Sequence, residues 1–269
     1  MRQLLKRSTI FFTGQMLSKI FSTIVYIWMA RVFGPEQFGI GTLIYLLLNI
    51  NSFVFDLGLG QWYQKHVDDS NREELFRTVI SMKLLIGAIG GLLCACYLLF
   101  STVSNALIAL FFIASFFDIL TGPSIAYYLE IKKPHAASIS QLFRSLGIAV
   151  FLVVLGGGTT VVHSMYGYIL GSLAWLGFWF PIRNFSFTLP SFIRAKDILG
   201  QSMQYAYLQI TSFAYARADS FIIQIYLGAS PLGLYGAAYR YLEAAAMFPN
   251  AIAQNLFHVS AKSHISASS

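Results

Sequence analysis

Nine ionisable side chains stand inside otherwise apolar runs: Lys19, Lys83, Arg144, Arg217 and Arg240 among the bases, and Asp56, Asp118, Asp219 and Glu243 among the acids. At mid-helix in a bilayer each costs about 2.5–3.5 kcal/mol, so nine facing lipid would cost roughly 20–30 kcal/mol. They must face protein or a wet cavity. The chemistry open to such groups is reversible ion binding. Lys19, Arg144, Arg217 and Arg240 are candidate ligands for an anionic substrate. Asp56, Asp118, Asp219 and Glu243 are candidates for binding a cation. Five bases against four acids leave the interior slightly cationic. Two simpler readings stay open. Arg240 and Glu243 are three apart on one helix and can pair with each other. Lys83 and Arg144 lie toward the inner ends of their runs and can snorkel to the interface.

Covalent and metal chemistry find no support. The histidines at 66, 135, 163, 258 and 264 show no ligand spacing, and there is no Ser/His/Asp set or Cys/His pair. The glycines at 156–158 form a turn, and no Gly-Lys-Ser/Thr follows to make a phosphate loop. No enzymatic activity, metal or cofactor is expected.

The elements that must hold these charges are membrane helices. Apolar residues make up 57% of the 269 and charged residues 11%, where a soluble domain has about a quarter charged. Apolar runs long enough to span a bilayer recur along the whole chain. The class is therefore all-α and polytopic, with about eight spans: Thr9–Val32, Phe38–Gly60, Thr78–Phe100, Asn105–Leu129, Ala137–Leu155, Val162–Pro181, Gln201–Leu227 and Leu232–Phe257. Gly34-Pro35 and Gly39 are expected to break the first helix and open the second. Polar stripes at helical spacing accompany the charges. Thr42, Tyr45, Asn49, Ser52 and Asp56 share one face of the second span. Gln15, Ser18, Lys19, Ser22, Thr23 and Tyr26 line the first. The seventh carries Gln201, Tyr205, Gln209, Ser212 and Ser220, and the eighth Gly236, Tyr239, Arg240, Glu243, Asn250 and Gln254. In the fourth, Ser115 and Asp118 precede a kink expected at Gly122-Pro123. Gly87, Gly90, Gly91 and Cys94 form a small-residue packing face on the third. Cys94 and Cys96 point to different faces, and no disulfide is implied.

The net charge of +7 would suggest nucleic acid in a soluble protein, but here it reports topology. With the N-terminus inside, the inner segments hold twelve Lys and Arg: Arg2, Lys6, Arg7, Lys65, Arg72, Arg77, Lys132, Lys133, Arg183, Arg194, Lys196 and Lys262. The outer connections hold only Arg31. This bias places both termini in the cytoplasm and the turns 101–105, 156–160 and 228–233 outside. The basic start leads into a run too long for a signal peptide, and one that contains Lys19, so the first helix is read as uncleaved.

A shift of 194 residues carries Gly34 and Gly39 onto Gly228 and Gly233, Tyr45 onto Tyr239, Asn49 onto Glu243 and Asp56 onto Asn250. Spans one and two thus map onto seven and eight. An even number of intervening spans relates the copies by an axis along the membrane normal. The expected division is a six-helix lobe over 1–182, a cytoplasmic linker over 183–200, the first two helices of a second lobe over 201–257, and a polar tail over 258–269.

The run Ala30-Arg31-x-Phe33-Gly34-Pro35-Glu36-x-Phe38-Gly39, followed by Asp56-Leu57-Gly58-Leu59, resembles the first two helices of the polysaccharide flippases. These are Wzx-type O-antigen and capsule transporters within the multidrug/oligosaccharidyl-lipid/polysaccharide exporter superfamily. Gly228 to Pro249 resembles the start of that family's second lobe. The resemblance implies two six-helix lobes around a cavity, alternating access, and a bacterial inner-membrane location. It implies as cargo an undecaprenyl-pyrophosphate-linked oligosaccharide, an O-antigen (lipopolysaccharide) or capsule repeat unit. Polysaccharide polymerase and chain-length proteins are the implied partners, with membrane lipid and no nucleic acid. Family members usually have twelve or more spans, so eight spans lead to the expectation of a chain truncated at its C-terminal end. Two alternatives remain: a non-transporting fragment or membrane partner, and a cation-coupled drug exporter of the same superfamily. The drug exporter would call for an acid-dominated interior.

Overall fold

A computed structural model describes residues 2–68, 70–101, 103–130, 139–154, 160–179 and 190–243. Among them the chain is helical and has no strand. The elements are α1 (Arg2–Phe53), α2 (Leu59–His66), α3 (Arg72–Leu99), α4 (Asn105–Glu130), α5 (Ser140–Val154), α6 (Val161–Trp179), α7 (Phe192–Leu227) and α8 (229–243). Among the described residues three stretches are long and apolar enough to cross a membrane: Thr13–Phe53, Arg72–Leu99 and Asn105–Tyr128. Large apolar side chains such as Leu17, Ile24, Ile89, Leu93, Phe116 and Val153 are exposed on outer faces. In a polytopic protein such a belt is the lipid-facing surface.

α1 is broken once, at Gly34, whose φ of 74° and ψ of 169° lie outside the helical region. Only glycine adopts this backbone without strain. Pro35 opens the second limb, where its missing N–H is no loss. The limbs fold back on each other, which brings the Tyr26 and Tyr45 rings to 5.3 Å. Gly228, between α7 and α8, has nearly the same backbone, with φ 86° and ψ −167°. There too the helices fold back, and Arg217 reaches Glu243.

Gly39 was expected to break the helix, but it lies inside the second limb of α1. Its role is close packing. A Cβ on Gly39 would overlap the carbonyl of Ala229, and one on Gly233 would overlap the carbonyl of Pro35. A Cβ on Gly236 would meet the Thr42 side chain at 3.0 Å. Pro35, Gly39 and Thr42 are the residues that the 194-residue shift carries onto Ala229, Gly233 and Gly236. The contact between the second limb of α1 and α8 is therefore its own image under that shift.

The second span ends sooner than expected. Its helix stops at Phe53, and the chain turns through Leu57 (φ 46°) and Gly58 (φ 72°) into the short α2. Asp56 thus leaves the helical stripe of Thr42, Tyr45, Asn49 and Ser52 and sits in the turn. α7 begins at Phe192, nine residues before the expected Gln201, with the Ser191 hydroxyl accepting from the Arg194 N–H. α4 stays helical through Gly122-Pro123. Asn250, Gln254 and the turn at 156–159 lie outside the described residues.

Two apolar cores hold these elements. One joins both limbs of α1 to α3, α4, α5 and α6 through Met29, Leu43, Ile44, Leu98, Phe111, Ile148 and Met165. The other surrounds α2: Leu59, Trp62 and Tyr63 pack with Phe76, Val79, Ile80 and, from α7, Ile198. Gly87, Gly90 and Gly91 are buried where Ile119, Phe55 and Phe112 approach α3, as the small-residue face predicts. Cys94 is buried and Cys96 exposed, both as free thiols.

Candidate functional site

The charges fall into separate groups. Near the α2 end, Lys83 pairs with Asp56, and the Gly60 N–H donates to Asp56 Oδ2 at 3.2 Å. Both side chains are buried, at 9% and 5% exposure. Lys83 therefore does not snorkel; it is buried against its partner in the turn before α2. The missing side chain of Gly122 leaves room for its ammonium, which lies 3.3 Å from where a Cβ would stand.

Asp118 on α4 takes Arg144 from α5. The Tyr168 hydroxyl lies 2.9 Å from both its oxygens, and Ser52 Oγ lies at 3.4 Å. The guanidinium of Arg144 stacks 5.0 Å from the Tyr168 ring. Arg144 does not snorkel either. α5 and α6 approach backbone to backbone, because a Cβ on Gly147, Gly167 or Gly171 would strike the facing main chain. Gly171 faces the Cα of Arg144, so this contact sets how deep the guanidinium sits.

The third group joins three elements. Lys19 Nζ lies 2.9 Å from Glu243 Oε2, Arg240 Nη1 lies 3.0 Å from the same oxygen, and Arg217 Nη2 lies 2.6 Å from Oε1. Arg240 and Glu243 do pair along α8, but that pair is a third of the arrangement. Three bases on one acid leave a local surplus of two positive charges. Aromatic faces hold the two guanidinium groups: Arg240 lies 4.0 Å from the Tyr26 ring and Arg217 4.9 Å from the Tyr239 ring. Arg217 is ten residues before the end of α7 at Leu227, about 15 Å along the helix axis. The side chains of Lys19, Arg217 and Arg240 are 20–28% exposed and that of Glu243 16%, so solvent or a ligand reaches the group.

Asp219 stands apart. It accepts from the Tyr235 hydroxyl and from the Ser220 N–H, and no base pairs with it among the described ion pairs. The sequence reading missed Tyr168 and Tyr235. Each left a signal: Ser164, Tyr168 and Ser172 form a polar line at helical spacing on α6, and Tyr235 is one turn before Tyr239. The rings of Tyr26, Tyr45 and Tyr168 follow one another at 5.3 and 5.6 Å. They form a continuous aromatic path from Arg240 to Arg144.

The fold and its long apolar helices define an all-helical membrane protein in which three bases gather on one carboxylate. The chain belongs to the polysaccharide biosynthesis protein family, whose model matches residues 4–264. Neither the curated proteins nor the solved structures contain a match to it.

Proposed function

We propose that the protein is a flippase of the bacterial inner membrane, for an undecaprenyl-pyrophosphate-linked oligosaccharide such as an O-antigen or capsule repeat unit. The observation that carries this is the convergence of Lys19, Arg217 and Arg240 on one carboxylate. A diphosphate is the part of such a cargo that hydrocarbon rejects most strongly, and cations presented inside the bilayer offset that cost. Family membership supplies the polysaccharide context. The glycine contacts that repeat under the 194-residue shift support two related lobes, with α7 and α8 opening the second. The charge bias of the connections supports cytoplasmic termini. Arg144 serves as a second anion ligand once the aromatic path admits the sugar, and Asp56, Asp118, Asp219 and Glu243 are the ion-coupling candidates. Nothing in this function calls for a catalytic step.

The test is binding of a short prenyl-pyrophosphate-linked saccharide to the purified chain, followed by its translocation in proteoliposomes. Binding should weaken about tenfold or more in Lys19→Gln and Arg217→Gln, the loss of one charge-assisted hydrogen bond. A neutral glycolipid bound as tightly as the pyrophosphate form would refute the reading. Preferential binding of a lipophilic cation would favour the drug-exporter alternative.

A further inference from the structure

Resting on the reading of this group as the diphosphate seat, we propose that Glu243 is a built-in occupant of the seat, which the cargo must displace in order to bind. Both of its oxygens are engaged, by bases from α1, α7 and α8. A carboxylate and a phosphate present paired oxygens to the same guanidinium fork. A diphosphate brings more oxygens and more negative charge than one carboxylate, so it meets the surplus that Glu243 leaves.

The other intramembrane pairs are built differently. Asp56 has one base and a backbone N–H, and Asp118 has one base and the Tyr168 and Ser52 hydroxyls. Their side chains are 5% and 6% exposed, against 16% for Glu243. Of these three paired acids, Glu243 alone is shared by several bases and open to a ligand. Its departure would not scatter the two arginines. Arg240 stays on the Tyr26 ring, Arg217 stays on the Tyr239 ring, and the Tyr239 hydroxyl reaches the Ala216 carbonyl at 3.4 Å. The arginine side of the seat is held open by parts that do not include its occupant. Glu243 also ties α8 to Lys19 on α1. Displacement passes that tie from the protein's own carboxylate to the cargo.

The experiment uses the full chain in detergent with farnesyl pyrophosphate as probe. In the unliganded wild type a carbodiimide adds to the Glu243 carboxylate, and the Lys19 amine, 2.9 Å away, attacks the activated carbon. An amide forms, and the carbodiimide leaves as its urea with the elements of water. The Lys19–Glu243 cross-link, read by mass spectrometry, should fall severalfold when the probe saturates. Glu243→Gln should bind the probe about tenfold or more tighter, since its three cations are then uncompensated. Binding of the probe with an unchanged cross-link overturns the proposal, as does a folded Glu243→Gln protein that binds no tighter. The cross-link is measured on the wild type and decides even if the variant does not fold. If neither wild type nor Glu243→Gln binds any pyrophosphate, the diphosphate seat itself is refuted, and this inference with it.

Discussion

Replacing Asp56 with Asn strands the Lys83 ammonium in a site where both side chains are less than a tenth exposed. The amide keeps the shape of the carboxylate and can still accept the Gly60 N–H, so the loss is confined to the charge pair. Removing one partner of a buried pair costs about 3–5 kcal/mol. At this burial solvent screening removes little of that. In chains of 150–250 residues each kcal/mol moves the midpoint by roughly 2–4 °C, so Asp56→Asn should lower Tm by about 10 °C. The protein carries its own reporter. Cys94 is buried and Cys96 exposed, so in a Cys96→Ser background a thiol-reactive fluorophore reads the unfolding of α3. Adding Lys83→Met to Asp56→Asn should restore most of the loss, because the double variant leaves no unpaired charge. A single variant within about 2 °C of the wild type, or a double variant no better than the single, would refute the pairing as a stability element.

Other perturbations test the close contacts and the orientation. Gly39→Ala and Gly233→Ala should destabilise the chain by similar amounts, about 1–3 kcal/mol each, because each places a methyl against a facing carbonyl; unequal melting shifts would show that the two contacts are not equivalent. Gly171→Ala should push α5 outward and separate Arg144 from Asp118. An unchanged distance between spin labels on α4 and α5 would count against that. A cysteine at position 103 or 230, in a chain lacking Cys94 and Cys96, should react with an impermeant thiol reagent on intact cells, and one at position 70 should not; the reverse pattern would invert the topology.

Several features were legible in the sequence because they depend on local chemistry. The apolar excess and scarcity of charge specify membrane helices wherever the chain folds, since unpaired backbone groups cannot face hydrocarbon. Gly34 and Gly228 mark the breaks because only glycine takes a positive φ with an extended ψ cheaply. That the intramembrane charges need partners follows from the cost of charge in lipid alone. Which partners they take was decided by the tertiary structure. Lys19 and Glu243 are 224 positions apart, and no local rule relates them. Snorkelling for Lys83 and Arg144 was as consistent with the sequence as pairing, until Asp56 and Asp118 were brought within reach. Gly39 reads as a breaker in isolation and proves to be a contact point, because the same missing side chain serves a turn or a close approach. Propensity and hydropathy act over a few residues, whereas pairing depends on which helix faces come together. The helices and their breaks were therefore readable one by one, while the gathering of three bases on Glu243 exists only once α1, α7 and α8 have packed.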